Sequence, residues 1–433
     1  MTLLTTLEPT PAVSQPEPDA AALGAPRLLQ GGRDYFSVLI EAIDGAMNWI
    51  QLETYIFDFH GVGAEVAQAL MRAARRGVSV QVLVDGVGTQ QPSAEWQEQL
   101  KQSGVQWQVY SPLGFGGGRW QRLAGLGLVM PDRWRRLHRK LCVIDQHVMF
   151  CGGINVLDDF FDPNHGSLDS PRFDFAVVLG GAAVEMAVDA MAMLWWRVQA
   201  GYSARQRHLK EAWDDFKAAG YGGRTQAVLA EPDSVTGKVR RPRLQAALLL
   251  RDNLLNRNSI ERAYRKAIGK AHHEILIANA YFLPGGRLRR ALIKASRRGV
   301  KVTLLLQGKY EYFMQYHAAR PVYGSLLEAG VEIHEYEASF LHAKVAVIDG
   351  HWATVGSSNL DPLSLLLARE ANVVIEDRAF AHELRTRLLE AISGHGRQMK
   401  AAIYSARPLR QRVLDQIAYA LMRFALLLTR QRY

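Results

Sequence analysis

The sequence predicts an α/β fold made of two similar halves. Three observations carry that expectation: an ungapped internal repeat, a recurring alternation of strand and helix signals, and a length that accommodates two such units. Residues 138–155, HRKLCVIDQHVMFCGGIN, align on 342–359, HAKVAVIDGHWATVGSSN, at an offset of 204. His, Lys, Val, Ile, Asp, His, Gly and Asn recur in both, which apolar patterning alone does not produce. Upstream, ARRGVSVQVLVDG (74–86) is similar to SRRGVKVTLLLQG (296–308), SGVQWQVY (103–110) to AGVEIHEY (329–336), and LETYIF (52–57) to ANAYFL (278–283). Each half therefore reads as strand, helix, strand, helix, strand and then the motif strands, the alternation of an α/β protein. With 433 residues, each half can bury a full core.

Taken in order, residues 1–26 are rich in Pro, Ala, Thr and Glu and lack the basic start and apolar stretch of a signal peptide, so a disordered tail is expected there. The first repeat spans 27–205. A charged, irregular stretch at 206–242, punctuated by GYGGR and VRRPR, reads as a linker. The second repeat spans 243–400. The segment 401–433 ends in LDQIAYALMRFALLLTRQRY (414–433), an apolar helix pattern with Arg423, Arg430 and Arg432 that suits an interfacial anchor. Tyr110 to His138 spans 28 residues whereas Tyr336 to His342 spans 6, so the first repeat carries 22 extra. They fall in 111–137, a glycine-rich segment that mixes Phe115, Trp120, Leu126, Met130 and Trp134 with five arginines. One reading makes it the membrane-facing rim of a cleft; the other makes it an ordinary packed loop.

Composition bounds the partners. Hydrophobic residues at 48% and charged residues at 22% suit a folded globular chain. Lys and Arg outnumber Asp and Glu by 52 to 42, a net charge of +10 that favours anionic partners, nucleic acid or acidic lipid. The two cysteines, Cys142 and Cys151, lie in apolar runs without metal-site or disulfide spacing, so buried reduced thiols are expected. No run of about 20 apolar residues marks a bilayer span, so any membrane association is expected to be peripheral.

In a strand alternate side chains share a face, so His138 projects with Lys140, and His342 with Lys344. Asp349-Gly350 suits a two-residue hairpin turn. Centred there, the turn sets His342 opposite Ser357 with Ser358 and Asn359 alongside, and by analogy His138 opposite Gly153 near Asn155. Small residues and an asparagine beside a histidine allow close backbone approach and amide donation to an anion, which suits a phosphate. Asp145 and Asp349 sit at the turns, where holding the turn competes with a chemical role. RFDFAVVL (172–179) and REANVVIE (369–376) each open a strand with a carboxylate, Asp174 or Glu370, able to fix an imidazole tautomer. Two histidines acting on a phosphodiester can divide the work, one attacking phosphorus and the other handling protons. Lys140, Lys344, Asn155 and Asn359 would stabilise the equatorial oxygens. With no HExxH pair or dense carboxylate cluster, no metal or other cofactor is expected.

HxKxxxxD followed by a glycine- or serine-flanked asparagine, twice, resembles the phospholipase D superfamily over about residues 27–400. Within it HRKLCVIDQHVMFCGGIN, ANAYFLPGGR and HWATVGSSNLDPLSLLLAREANVVI are similar to bacterial cardiolipin synthases, especially the shorter B type. The resemblance implies two mixed sheets about a pseudo-twofold axis, one cleft holding both motifs, and phosphatidyl transfer through a phosphohistidine. The family's motif residues fall on His138, Lys140, Asp145, His342, Lys344 and Asp349, with His138 as nucleophile and His342 as acid and base. It also implies phosphatidylglycerol as donor and acceptor, phosphatidylethanolamine as donor in some relatives, and a peripheral place on the cytoplasmic face of the cell membrane. GGIN in place of GSSN departs from the pattern and leaves the halves unequal. The rival readings are a nuclease, which the positive charge would serve equally, a phospholipase D using water as acceptor, and a non-catalytic lipid-binding module. The aromatic and arginine-rich segments weigh against nucleic acid, and two intact motifs weigh against the module.

Overall fold

A computed structural model describes residues 25–110, 136–162, 165–205, 246–252, 256, 258–310, 313–361 and 368–428. The tail to residue 24, most of the glycine-rich segment with Trp120 and Trp134, and the linker lie outside the described residues, as do Arg430 and Arg432. In chain order the first repeat gives β1 (Arg27–Gln30), α1 (Gly31–Asp44), β2 (Trp49–Thr54), α2 (Val62–Arg75), β3 (Ser79–Asp85), α3 (Ala94–Ser103) and β4 (Gln106–Tyr110). There follow β5 (Arg136–Leu137), β6 (Leu141–Ile144), β7 (Val148–Gly152), the small hairpin β8 (Phe161–Asp162) and β9 (Gly166–Ser167), β10 (Phe175–Leu179) and α4 (Ala182–Arg205). The second repeat gives β11 (Ala246–Arg251), α5 (Ser259–Lys270), β12 (Glu274–Asn279), α6 (Gly286–Arg297), β13 (Lys301–Gln307), α7 (Phe313–Leu327) and β14 (Glu332–Tyr336). It continues with β15 (Lys344–Ile348), β16 (Trp352–Gly356), β17 (Ala368–Ile375), α8 (Arg378–His395), β18 (Gly396–Gln398), α9 (Ala401–Ser405) and α10 (Leu409–Leu428).

The two sheets have matching orders, β1-β10-β7-β6-β2-β3-β4 and β11-β17-β16-β15-β12-β13-β14, the second extended by β18. Both are mixed: β2-β3-β4 and β12-β13-β14 pair in parallel, and the remaining neighbours in these two orders are antiparallel. Apart from Lys344 and Thr354, the motif strands β6, β7, β15 and β16 carry no polar side chain, because both faces are covered. On β6, Leu141 and Val143 join the core between the sheets while Cys142 and Ile144 face the outer helices. On β15, Val345 and Val347 point inward and Ala346 and Ile348 outward. One core built from both repeats thus fuses them, with Ala187 of α4 and Leu384 of α8 packed into it. Both cysteines are free and buried, and burial pushes each thiol up to about 12.

Each repeat also lends a short stretch to the other's sheet. β5 pairs in parallel with β17 through Ala368–Arg136 and Arg369–Leu137, and Leu341 makes the reciprocal bridge to Phe173. These crossings immediately precede the two histidines.

The hairpin register differs from the sequence expectation by one residue. Ile348 pairs with Trp352 and Val345 with Val355, so three residues, 349–351, close the turn and His342 falls in register with Ser358 rather than Ser357. Asp349 at φ 49° and Gly350 at φ 62° are both left-handed, and the third residue is needed to rejoin the ladder. The first hairpin repeats this with Asp145, Gln146 and His147. At the C-terminal end α10 packs on α7. Among the described residues no helix is long and apolar enough to cross a membrane.

Candidate active site

The crossed strands bring each histidine to the opposite repeat. The His138 N–H donates to the Arg369 carbonyl at 3.0 Å, and the His342 N–H to the Phe173 carbonyl at 2.9 Å. The next residue along each receiving chain is the carboxylate expected at the strand start. Glu370 accepts from His138 Nδ1 at 3.0 and 3.1 Å, and Asp174 accepts from His342 Nδ1 at 2.6 Å. A carboxylate can only accept, so Nδ1 carries the proton and Nε2 keeps its lone pair. The histidine side chains remain 17% and 19% exposed, whereas Glu370 and Asp174 are at 0% and 4%, so in each pair the imidazole and not the carboxylate is open to a ligand.

Both lysines reach the same place. Lys140 Nζ donates to the His138 carbonyl at 2.8 Å, and Lys344 Nζ donates to the His342 carbonyl. Burial pushes Lys140 down to about 7, with Glu370 opposing the drop and Lys344 adding to it. Burial also lowers His138, against the pull of Glu370 and with the help of Lys140. Burial followed by Lys344 and Lys140 holds His342 well below its ordinary value. Two cations and two imidazoles crowded in a buried site favour an anion between them.

The carboxylates differ. Burial raises Glu370, but His138, Lys140 and the Ser357 hydroxyl, which donates to Glu370 at 2.5 Å, more than reverse it and leave the group below its usual range. Burial raises Asp174 to about 6 against Lys344 and the Phe175 N–H. At Gly153, the first of the two departures from the GSSN pattern, the cause is steric: a Cβ there would lie 2.2 Å from Asp174 Oδ1. Ser357 therefore supports Glu370 where Gly153 makes room for Asp174. Ser358 is buried, with its N–H on Asn372 at 3.3 Å. Asn155 and Asn359 follow β7 and β16 at the histidine end of the sheets; Asn155 accepts the Ile56 N–H at 3.2 Å, and Asn359 is buried.

Asp145 and Asp349, counted with the catalytic set on the strength of the motif, are not brought to this site. They sit at the far ends of the hairpins, seven residues and about 20 Å along an extended chain from the histidines. Asp145 accepts the N–H groups of Met47, Asn48 and Trp49 at 2.7 to 2.8 Å, and Asp349 those of His272, His273 and Glu274 at 2.8 to 2.9 Å. Burial acts to raise Asp349, and these three donors outweigh it to leave the carboxyl below the usual range. Each aspartate therefore staples the hairpin to the start of the adjacent strand. Asp349→Ala is expected to cost about 2 kcal/mol of stability by stranding those donors, measured as a lower denaturant midpoint, while the folded fraction keeps its turnover.

Several residues outside the repeated motif also shape the site. Tyr55 lies 5.0 Å from His138 between ring centroids, and Lys140 Nζ is 5.4 Å from its centroid. Its recurrence as Tyr281 in the paired LETYIF and ANAYFL segments was the available signal. Asp85 and Gln307, at corresponding strand ends, accept the N–H of Leu137 at 2.8 Å and of Leu341 at 3.3 Å, holding the approach to each histidine. Arg139 and Glu53 form a buried pair at 3.4 Å that the second repeat replaces with Ala343 and Asn279.

Residues 39–168 and 264–392 each match the cardiolipin synthase, PLD-like domain. The chain is 38% identical over 384 residues to cardiolipin synthase B of Escherichia coli K12, covering 86% of this chain and 81% of the relative. It is 29% identical over 395 residues to the major cardiolipin synthase ClsA of Bacillus subtilis, covering 90% and 73%. The crystal structure of Haemophilus influenzae phosphatidylserine synthase superposes with a TM-score of 0.63 at 14% identity, covering 93% of each chain, a likeness of fold. Two matched domains, together with 38% identity over 81% of the length of a cardiolipin synthase B, place this protein in the cardiolipin synthase family of phospholipase D-like proteins.

Proposed function

We propose that the protein joins two phosphatidylglycerol molecules into cardiolipin and releases glycerol, with a phosphohistidine between the two half-reactions. The observation that carries this reading is the pair of imidazoles, each held at Nδ1 by a carboxylate of the opposite repeat beside two buried lysines. His138 Nε2 attacks the donor's phosphorus, the P–O bond to glycerol breaks, and His342 gives that oxygen its proton. The glycerol hydroxyl of a second phosphatidylglycerol then returns a proton to His342 and displaces His138 from phosphorus. Lys140 and Lys344 meet the equatorial oxygens, where negative charge concentrates in the transition state. Burial and the neighbouring lysines hold both imidazoles below their ordinary values; an anionic diester between them favours protonation of one.

Glu370 is the firmer carboxylate and suits the histidine that becomes transiently cationic when phosphorylated, which supports His138 as nucleophile. The anionic lipid substrates and the net charge of +10 support peripheral work on the cytoplasmic face of the cell membrane. The experiment is lipid analysis after incubating the purified protein with phosphatidylglycerol, alone and with phosphatidylethanolamine, with plasmid DNA as control. Cardiolipin and free glycerol in equal amounts are expected from phosphatidylglycerol alone. Phosphatidic acid as the only product would make the protein a hydrolase, and nicked DNA without cardiolipin would overturn the lipid reading.

A further inference from the structure

The helix α10 carries two apolar faces and uses one of them. Ala418 and Met422 are buried in the second repeat's outer core, and Asp415 is tied to His317 of α7 at 2.7 Å and to Arg407 at 2.6 Å. The opposite face is open: Leu409 is 73% exposed, Val413 47%, Ile417 51%, Leu421 54% and Phe424 60%. Their spacing of four, four, four and three residues places them in one stripe along the helix. Single exposed apolar residues are ordinary, but five aligned where a solvated helix carries polar side chains mark a contact surface.

Charge selects the partner. The exposed charged residues of α10 among those described are Arg410, Arg412 and Arg423, and its acid, Asp415, is buried and paired. Packing against a second copy would bring cations of one helix near those of the other, whereas an anionic lipid surface satisfies both the stripe and the arginines. Beside the stripe, a groove of about 840 Å³ runs between α7, α9 and α10, with Pro321, Gly324, Leu327, Val413 and Ile417 in its walls and Arg412 among its lining. We infer that α10 is the element through which the protein docks on an anionic leaflet, with the stripe in the headgroup region and the arginines at the level of the phosphates. This deepens the proposed function, since it rests on the enzyme drawing its substrates from a membrane.

The test uses the full chain and two multiple variants, Leu421→Glu with Phe424→Glu, and Arg410→Gln with Arg412→Gln and Arg423→Gln. These side chains are exposed, so unchanged thermal transitions are expected. Binding is read by flotation with vesicles of phosphatidylglycerol and phosphatidylcholine, or of phosphatidylcholine alone; activity is read on phosphatidylglycerol dispersed in detergent micelles. The glutamate variant is expected to lose at least about tenfold in binding. The arginine variant is expected to lose its preference for the anionic vesicles, at roughly fivefold per arginine. Both should keep micellar activity. Undiminished vesicle binding by the glutamate variant would sink the inference. So would equal wild-type binding to both vesicles, or a wild-type dimer that this variant dissociates. If no protein makes cardiolipin in micelles while vesicle binding responds as described, the catalytic reading fails and the docking surface stands.

Discussion

His138→Ala and His342→Ala are each expected to lower cardiolipin formation by roughly 10⁴-fold or more, since each removes a group that makes or breaks bonds. Turnover alone does not separate their roles, and a donor with an activated leaving group does. When p-nitrophenol replaces glycerol on the donor phosphate, departure needs no general acid. His342→Ala should then release a burst of nitrophenol and retain the phosphatidyl group on the protein, in a linkage that is acid-labile and base-stable. His138→Ala should give neither burst nor adduct. An adduct on His138→Ala but not on His342→Ala would reverse the assignment. No adduct on either, with normal burst-free turnover in the wild type, would remove the phosphohistidine from the mechanism.

The two histidines would respond alike if their surroundings were alike, and they are not. His138 rests on a carboxylate that Ser357 reinforces from within its own repeat. His342 rests on a shorter one, with Gly153 where a serine would collide with it. The exchange of Glu and Ser for Asp and Gly keeps the imidazole-carboxylate contact in both places while changing how firmly each carboxylate holds its charge. A duplicated site can specialise in this way without moving its reactive atoms.

Much of this was legible in the chain. The internal alignment implied two similar α/β halves because apolar periodicity and repeated motifs are local properties. Asp174 and Glu370 stood out as carboxylates opening buried strands. Their partners were not legible, because His138 and Glu370 are 232 residues apart and His342 and Asp174 are 168 apart. Only the exchange of β5 and Leu341 between sheets decides which carboxylate meets which histidine. The hairpin register failed for a different reason. Asp-Gly is the signature of a two-residue turn, yet a third residue extends both turns, and one residue of slip changes every cross-strand neighbour. Tyr55 was passed over because an aromatic after an apolar strand reads first as core.

Glu370→Gln and Asp174→Asn should each reduce turnover by roughly 10³- to 10⁴-fold without removing any reacting atom. An amide can offer its N–H to Nδ1, which favours the tautomer with the proton on Nε2 and blocks the lone pair that must attack or accept a proton. A merely structural role predicts lost stability with unchanged pH behaviour, so the pH profile is the discriminating readout. Asp174 lies at about 6 because burial raises it. In the wild type it therefore loses its charge, and with it the hold on the His342 imidazolium, as pH falls through 6. The wild-type rate should show an acid limb there. In Asp174→Asn that contribution is already absent at every pH, so the residual rate should be flatter below pH 7 than in the wild type. Glu370→Gln should retain the limb, because Glu370 sits below the usual carboxylate range and does not titrate near 6. An unchanged limb in Asp174→Asn, or full turnover in either amide variant, would mean that the crossed carboxylates do not set the tautomers and that the imidazoles are oriented by packing alone.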